Sequence, residues 1–149
     1  LISTRKLAID SEGAGEYRGA PGILTEFRSV DADMELGFCS DGTVNPALGI
    51  LGGEAAMAAR QWLHGDDGCT VMLNTSEQVY VHANQLVVSY SNGGGGFGDP
   101  MQRDISRVAK DVREGWISKA RAREVYGVVF DANGDVDYSE TATLRGLIS

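Results

Sequence analysis

Two hydrophobic periods divide the chain. Through Tyr90, apolar and polar residues tend to alternate, as in strands with one covered face. From Asp104 onward, apolar residues return every three or four positions, as in amphipathic helices. The alternation is cleanest where Met34, Leu36 and Phe38 point one way and Asp33, Glu35, Gly37 and Cys39 the other. Strands are predicted over residues 1–10, 23–30, 33–39, 69–73, 78–81 and 85–90. The second and third read as an adjacent antiparallel pair joined at Asp31-Ala32. Residues 55–62 fit either a helical turn or two, or a strand that begins near Arg60. Short strands at spacings of about ten residues predict an antiparallel β-sandwich or barrel.

In the second half, Asp104 is placed to cap a helix whose stripe is Ile105, Val108, Val112 and Trp116, ended by Gly115. Ser118 opens a second short helix through Val125 and Tyr126, closed by Gly127. Val128-Val129-Phe130 reads as a brief strand. Asp137, with Glu140 three residues on, starts a last helix that would bury Leu144, Leu147 and Ile148. The expected class is therefore α+β. A β-rich domain occupies residues 1–92, and a glycine-rich corner with a short helical C-terminal tail, packed on it, occupies 93–149.

The corner is Asn92-Gly93-Gly94-Gly95-Gly96-Phe97-Gly98-Asp99-Pro100. Four glycines in a row suit a flexible linker, but the run is short and ends in two stiff residues. An ordered, tight turn is predicted, in which glycine serves positive φ or close backbone approach. Asp99 is placed to accept hydrogen bonds from nearby amides or to cap the following turn. Gly93, Gly95 and Gly98 also satisfy G-x-G-x-x-G. The dinucleotide reading fails because Asp99-Pro100 interrupts the loop before any helix. The acidic residue expected about 20 residues on is also missing, since Asp131 lies far beyond. Two further loops are dense in turn formers. Residues 10–22 hold Tyr17 and Arg18, which suit specific contacts, and the loop reads as a functional loop or a structural crossover. Residues 40–54 mix glycine with apolar residues and are expected to pack.

Composition narrows the partners. The 149 residues suit one domain, and a net charge of −8 gives nucleic-acid binding no electrostatic support. Cys39 and Cys69 are expected as buried free thiols. With only His64 and His82 for company, they form no zinc spacing. The histidines are isolated, and no catalytic constellation stands out. Residues 131–137 resemble a calcium loop but carry glycine and the twelfth residue in the wrong places, so a solvated turn is expected. No long apolar run or signal-peptide pattern is present, which points to the cytoplasm and away from a membrane partner. A first residue of Leu rather than Met suggests a processed chain or a piece of something longer.

Motif order adds a resemblance. Residues 10–22 resemble the D-S-G-G-A-G-x-x-R-G-G-x-G signature of the hydantoinase B / 5-oxoprolinase family, with Gly13, Gly15 and Arg18 in place and Glu12 and Ala20 standing where that signature has glycine. Gly93, Gly94, Gly95, Gly96, Phe97, Gly98, Asp99 and Pro100 resemble its G-G-G-G-[YF]-G-D-P. Residues 103–129 are similar to the segment C-terminal to that motif in the family, through Asp104, Val108, Asp111, Val112, Gly115, Ser118, Ala122 and Tyr126-Gly127-Val128-Val129. Residues 41–63 depart more, lacking an arginine-rich stretch. The resemblance covers the C-terminal portion of a family member. It implies a small subunit, or a segment of a B-type subunit, in an ATP-dependent enzyme of carboxylation or of lactam, hydantoin or 5-oxoproline hydrolysis. It also implies larger partners, a hydantoinase A-type ATP-binding subunit and a B-type subunit. ATP with Mg and a divalent metal would then sit on those partners, and no cofactor on this chain. No catalytic residue carries over. Gly13, Gly15 and Arg18 of the first loop and Gly93 through Asp99 of the corner become structural or interface candidates. The competing expectation is a free-standing module that binds a small molecule or nucleotide through the same loops.

Overall fold

In the computed structural model, which describes residues 1–147, seven strands precede three short α-helices. The strands are β1 (Ile2–Leu7), β2 (Ile23–Arg28), β3 (Met34–Cys39), β4 (Arg60–His64), β5 (Thr70–Met72), β6 (Ser76–Val81) and β7 (Leu86–Tyr90). Five form an antiparallel sheet in the order β1-β2-β7-β4-β5, and β3 pairs with β6 in a separate two-stranded ribbon. The sheets stay open, with β1 and β5 as edges, so the barrel alternative is dropped.

Register sets the faces. Leu24 pairs with Tyr90, and Trp62 pairs with both Val88 and Met72, so these apolar side chains share one face. Trp62 meets Tyr90 edge to face with ring centroids 5.7 Å apart. Phe27, Val87, Leu63 and Val71 share the other face, where Val87 is fully buried. On the ribbon, Met34, Leu36 and Phe38 are half-buried while Glu35, Gly37 and Cys39 are exposed, so the predicted alternation holds.

The expected pairing of residues 23–30 with 33–39 does not occur. β2 lies between β1 and β7, and the chain leaves it through Asp31, at φ 61°, to enter the ribbon. Asp33 accepts from the Ala83 amide and meets the His82 ring, which ties the start of β3 to the end of β6 instead. Residues 55–59 belong to neither helix nor strand, and β4 begins at Arg60. Val128–Phe130 makes no strand; Phe130 joins Val136 in an isolated bridge. Both cysteines are exposed rather than buried. Cys39 sits on the outward face of β3, and Cys69 follows a turn.

The helices are α1 (Ile105–Arg113), α2 (Lys119–Glu124) and α3 (Tyr138–Leu144). Asp104, Ser118 and Asp137 cap them, each accepting from the amide three residues on. Gly115 and Gly127, at φ 70° and 62°, supply the left-handed residues that follow the first two. Leu144 and Leu147 are exposed, because α3 buries Thr141, whose hydroxyl accepts from the Val129 amide. Ile148 lies outside the described residues. No helix among these is long and apolar enough to cross a membrane.

The main apolar cluster is Val108, Ile117, Ala122, Tyr126, Val128 and Ala14, with Ile105, Val112, Val125, Phe130 and Val136 against it. The α1 stripe therefore packs inward, although Trp116 falls beyond the helix end. Its partner from the first half is Ala14, a residue of the 10–22 loop, and among the described residues no sheet residue joins this cluster. Burying a valine stabilises by roughly 1.5–3 kcal/mol. Val108→Ala should lower unfolding free energy by about 2 kcal/mol in a urea titration, whereas Val71→Ala, on the exposed edge strand, should change it by less than about 0.5 kcal/mol.

Candidate functional site

Three loops interlock where the two halves meet: residues 10–22, 47–57 and 92–99. Gly13 N–H donates to Gly94 O at 2.8 Å, and Gly94 N–H to Ala20 O at 2.8 Å. Gly96 N–H donates to Glu54 O at 3.0 Å, Glu54 N–H to Ala14 O at 2.7 Å, and Ile50 N–H to Gly96 O at 2.9 Å. Tyr17 and Phe97 exchange both of their backbone bonds, at 2.9 and 3.0 Å. Backbones this close leave no room for side chains. A methyl group at Gly96 would overlap the Ala14 carbonyl, and one at Gly95 the Leu48 carbonyl. Gly98 differs, because it occupies φ 76°. Of the two reasons for glycine read from the sequence, close approach applies to the run and positive φ to Gly98. Asp99 caps the single turn of 3-10 helix after it, accepting from the Met101 amide at 2.9 Å.

The amides of Gly93, Gly94, Gly96, Phe97 and Gly98 all donate to backbone carbonyls. A phosphate-cradling loop needs such amides free, and five amides of this corner are already committed to the protein's own carbonyls, against the nucleotide reading of Gly93-x-Gly95-x-x-Gly98.

Two buried carboxylates fasten the first loop to the helices. Asp111, on the inner face of α1, takes a two-pronged contact from Arg18 Nε and Nη2 at 2.8 and 3.0 Å, and Arg103 Nη2 at 2.9 Å. Arg18 also lies over the Trp116 ring, 4.8 Å from its centroid. Burial alone would lower the Arg18 pKa, but the Asp111 hydrogen bond and charge outweigh it and leave it raised. Glu12 is the second carboxylate. Its Oε1 accepts from Arg121 Nε at 2.7 Å and from the Tyr126 hydroxyl at 2.9 Å. Burial, then the Glu12 charge and hydrogen bond, push the Tyr126 pKa well above the usual phenol value.

The structure thus gathers Gly13, Gly15, Gly93, Gly94, Gly95, Gly96, Phe97 and Gly98 into one knot, with Arg18 beneath and Asp99 at its exit. Sequence reasoning gave no role to Glu12, Arg103, Asp111, Arg121 or Tyr126. The available signal was Asp111 three residues after Val108, a charge on the apolar stripe. Glu12 replacing a signature glycine was another. His64 faces Thr70, and His82 faces Asp33 on the exposed ribbon, so neither enters the knot. Among the described residues, no three His, Cys, Asp or Glu side chains gather where a metal ion would fit.

The profile described as Hydantoinase B/oxoprolinase matches residues 1–100, more than half of the chain. The chain belongs to this family. Caprolactamase subunit beta of Pseudomonas jessenii is 32% identical over 149 residues, covering 97% of this chain and 26% of that one. Among solved structures, the nucleotide-free acetone carboxylase superposes with a TM-score of 0.78 at 26% identity, over 99% of this chain and 24% of that chain. The ATP-dependent caprolactamase of Pseudomonas jessenii gives 0.76 at 30% identity, over 98% and 26%. This hydantoinase-B-type chain therefore spans about a quarter of the length of these three relatives.

The packing at the knot dictates how substitutions there should behave. Gly96→Ala should destabilise by at least about 1–3 kcal/mol, the range for overpacking. Gly37→Ala, with open space on β3, should be neutral or gain up to about 1 kcal/mol. Equilibrium denaturation of both variants checks the contrast. Asp111→Ala leaves two buried guanidinium groups without their carboxylate and should cost about 3–5 kcal/mol in the same assay. Because folding raises the Tyr126 pKa, its protonated form is the one the fold favours. That stability is complete below about pH 10 and is lost as pH rises beyond it. The margin of the natural protein over Tyr126→Phe should hold steady to about pH 10 and shrink above it, read from melting curves across pH.

Proposed function

We propose that this chain is a scaffolding and interface element of a hydantoinase-B-type subunit within an ATP-dependent assembly, acting in lactam-type amide hydrolysis or in carboxylation. The observation that carries this reading is the alignment of nearly the whole chain with one quarter of the caprolactamase beta subunit. The geometry supports it. Glu12, Arg18, Arg103, Asp111 and Arg121 are engaged with one another, with Tyr126 and with backbone carbonyls. The amides of Gly93, Gly94, Gly96, Phe97 and Gly98 donate to backbone carbonyls. On this reading the site holds three loops in one conformation and its part is to present a shaped surface.

On this reading, ATP with Mg and a divalent metal belong to partner subunits, with a hydantoinase A-type subunit as the ATP-binding one. The chain's knot positions the B-type fold against them. Native mass spectrometry of the assembly purified from its own cells tests this. The expected result is the polypeptide that carries this chain in complex with a larger A-type polypeptide, and ATP-dependent turnover of a lactam or carboxylation of a ketone by the assembly. A polypeptide carrying this chain that runs as a monomer without partners would refute it.

A further inference from the structure

Tyr17 and Phe97 lie outside the apolar cluster around Val108, yet their backbones are tied together by two hydrogen bonds, at 2.9 and 3.0 Å. Tyr17 bridges to Phe97 antiparallel, and Ile50 bridges to Phe97 in parallel, so the three side chains stand side by side on one face. They are 55%, 46% and 61% exposed. The two rings meet edge to face at 6.2 Å, and Leu48 and Leu51, flanking Ile50, are exposed as well. Single exposed apolar residues are ordinary, but a contiguous group on a rigid backbone marks an interaction surface. Aromatic anchors whose conformation is fixed before binding are the usual centres of such surfaces. A hollow of about 220 Å³, lined by Glu16, Tyr17, Gln102, Asp104 and Arg107, adjoins the patch and gives it a polar rim.

We propose that Leu48, Ile50, Leu51, Tyr17 and Phe97 form a docking face for a hydantoinase-B-type polypeptide, the part of the family fold that makes up the other three-quarters of the relatives. This rests on the assembly reading above and adds the surface. Two observations favour that occupant. In the acetone carboxylase and caprolactamase structures, the same fold is a quarter of a longer chain, so family polypeptide is available to cover it. A second copy of this chain is disfavoured by charge, since each copy carries −8 and Glu16 and Asp99 flank the aromatic pair in sequence. The partner's patch should be apolar with a basic rim.

The test uses the tagged full chain in its own cells, with photo-reactive benzoylphenylalanine in place of Phe97 or Ile50 and, as controls, in place of Tyr80 or Tyr138. Irradiation should join the first two positions, and not the controls, to a polypeptide that mass spectrometry identifies as hydantoinase-B-type. The double variant Phe97→Ser with Ile50→Ser should lower co-purification of that polypeptide at least tenfold while its melting curve stays cooperative. Should that variant fail to fold, the cross-links, made in the natural background, decide alone. Cross-links to a second copy, to a protein outside the family, or from the control positions only would overturn the docking face. If a B-type partner co-purifies but is reached only from Tyr80 or Tyr138, the assembly reading stands and this surface is wrong. If no B-type sequence, on a partner or on the same polypeptide, is joined from any of the four positions, both fall.

Discussion

Backbone-to-backbone contact among three loops is the constraint on which the rest of the structure depends. A buried loop must satisfy its peptide groups without help from water. Here residues 10–22, 47–57 and 92–99 satisfy one another, and the distances this requires admit no Cβ at Gly95 or Gly96. The sheet and the helices barely touch directly. They are joined because each is continuous with a strand of the knot. β1 runs into the first loop, β4 leaves the second, and β7 enters the corner that leads to α1.

A second layer of interactions makes the junction specific. The loop of residues 10–22 carries Glu12 near one end and Arg18 further on, and each reaches a different helix, Glu12 to α2 through Arg121 and Arg18 to α1 through Asp111. Buried ion pairs add little net stability once desolvation is counted, but removing one partner is costly. Displacing the loop would leave these charges buried without partners. Ala14 lies between them in the apolar cluster, so the segment is fixed by two charges and a small side chain.

Local signals were legible in the sequence. Asp104, Ser118 and Asp137 cap where their spacing predicts, Gly115 and Gly127 end helices at positive φ, and the Met34-Leu36-Phe38 alternation faces as read. Pairing was not legible. β2 and β3 are neighbours in the chain and lie in different sheets, because strand partners depend on where distant residues such as Asp33 and His82 meet. The burial of Thr141 in place of Leu144 depends on one long-range hydrogen bond, and no period announces that. At the knot, glycine density pointed to close approach, but which loops approach is a property of the assembled fold. Glu12 stood out only as a replacement for a signature glycine, and its role was not legible because its partners lie more than a hundred residues away.

The same fold recurs in about a quarter of the caprolactamase and acetone carboxylase chains that superpose on this one. The three loops should behave as one closed unit. Residue-resolved native-state hydrogen exchange tests that most directly. The amides of Gly13, Ile50, Glu54, Gly94, Gly96 and Phe97 should exchange only through the global opening that exposes Val108, with a common free energy. Rapid exchange of the Gly94, Gly96 and Phe97 amides, while the helical core remains protected, would mean the corner is a linker and would contradict the account.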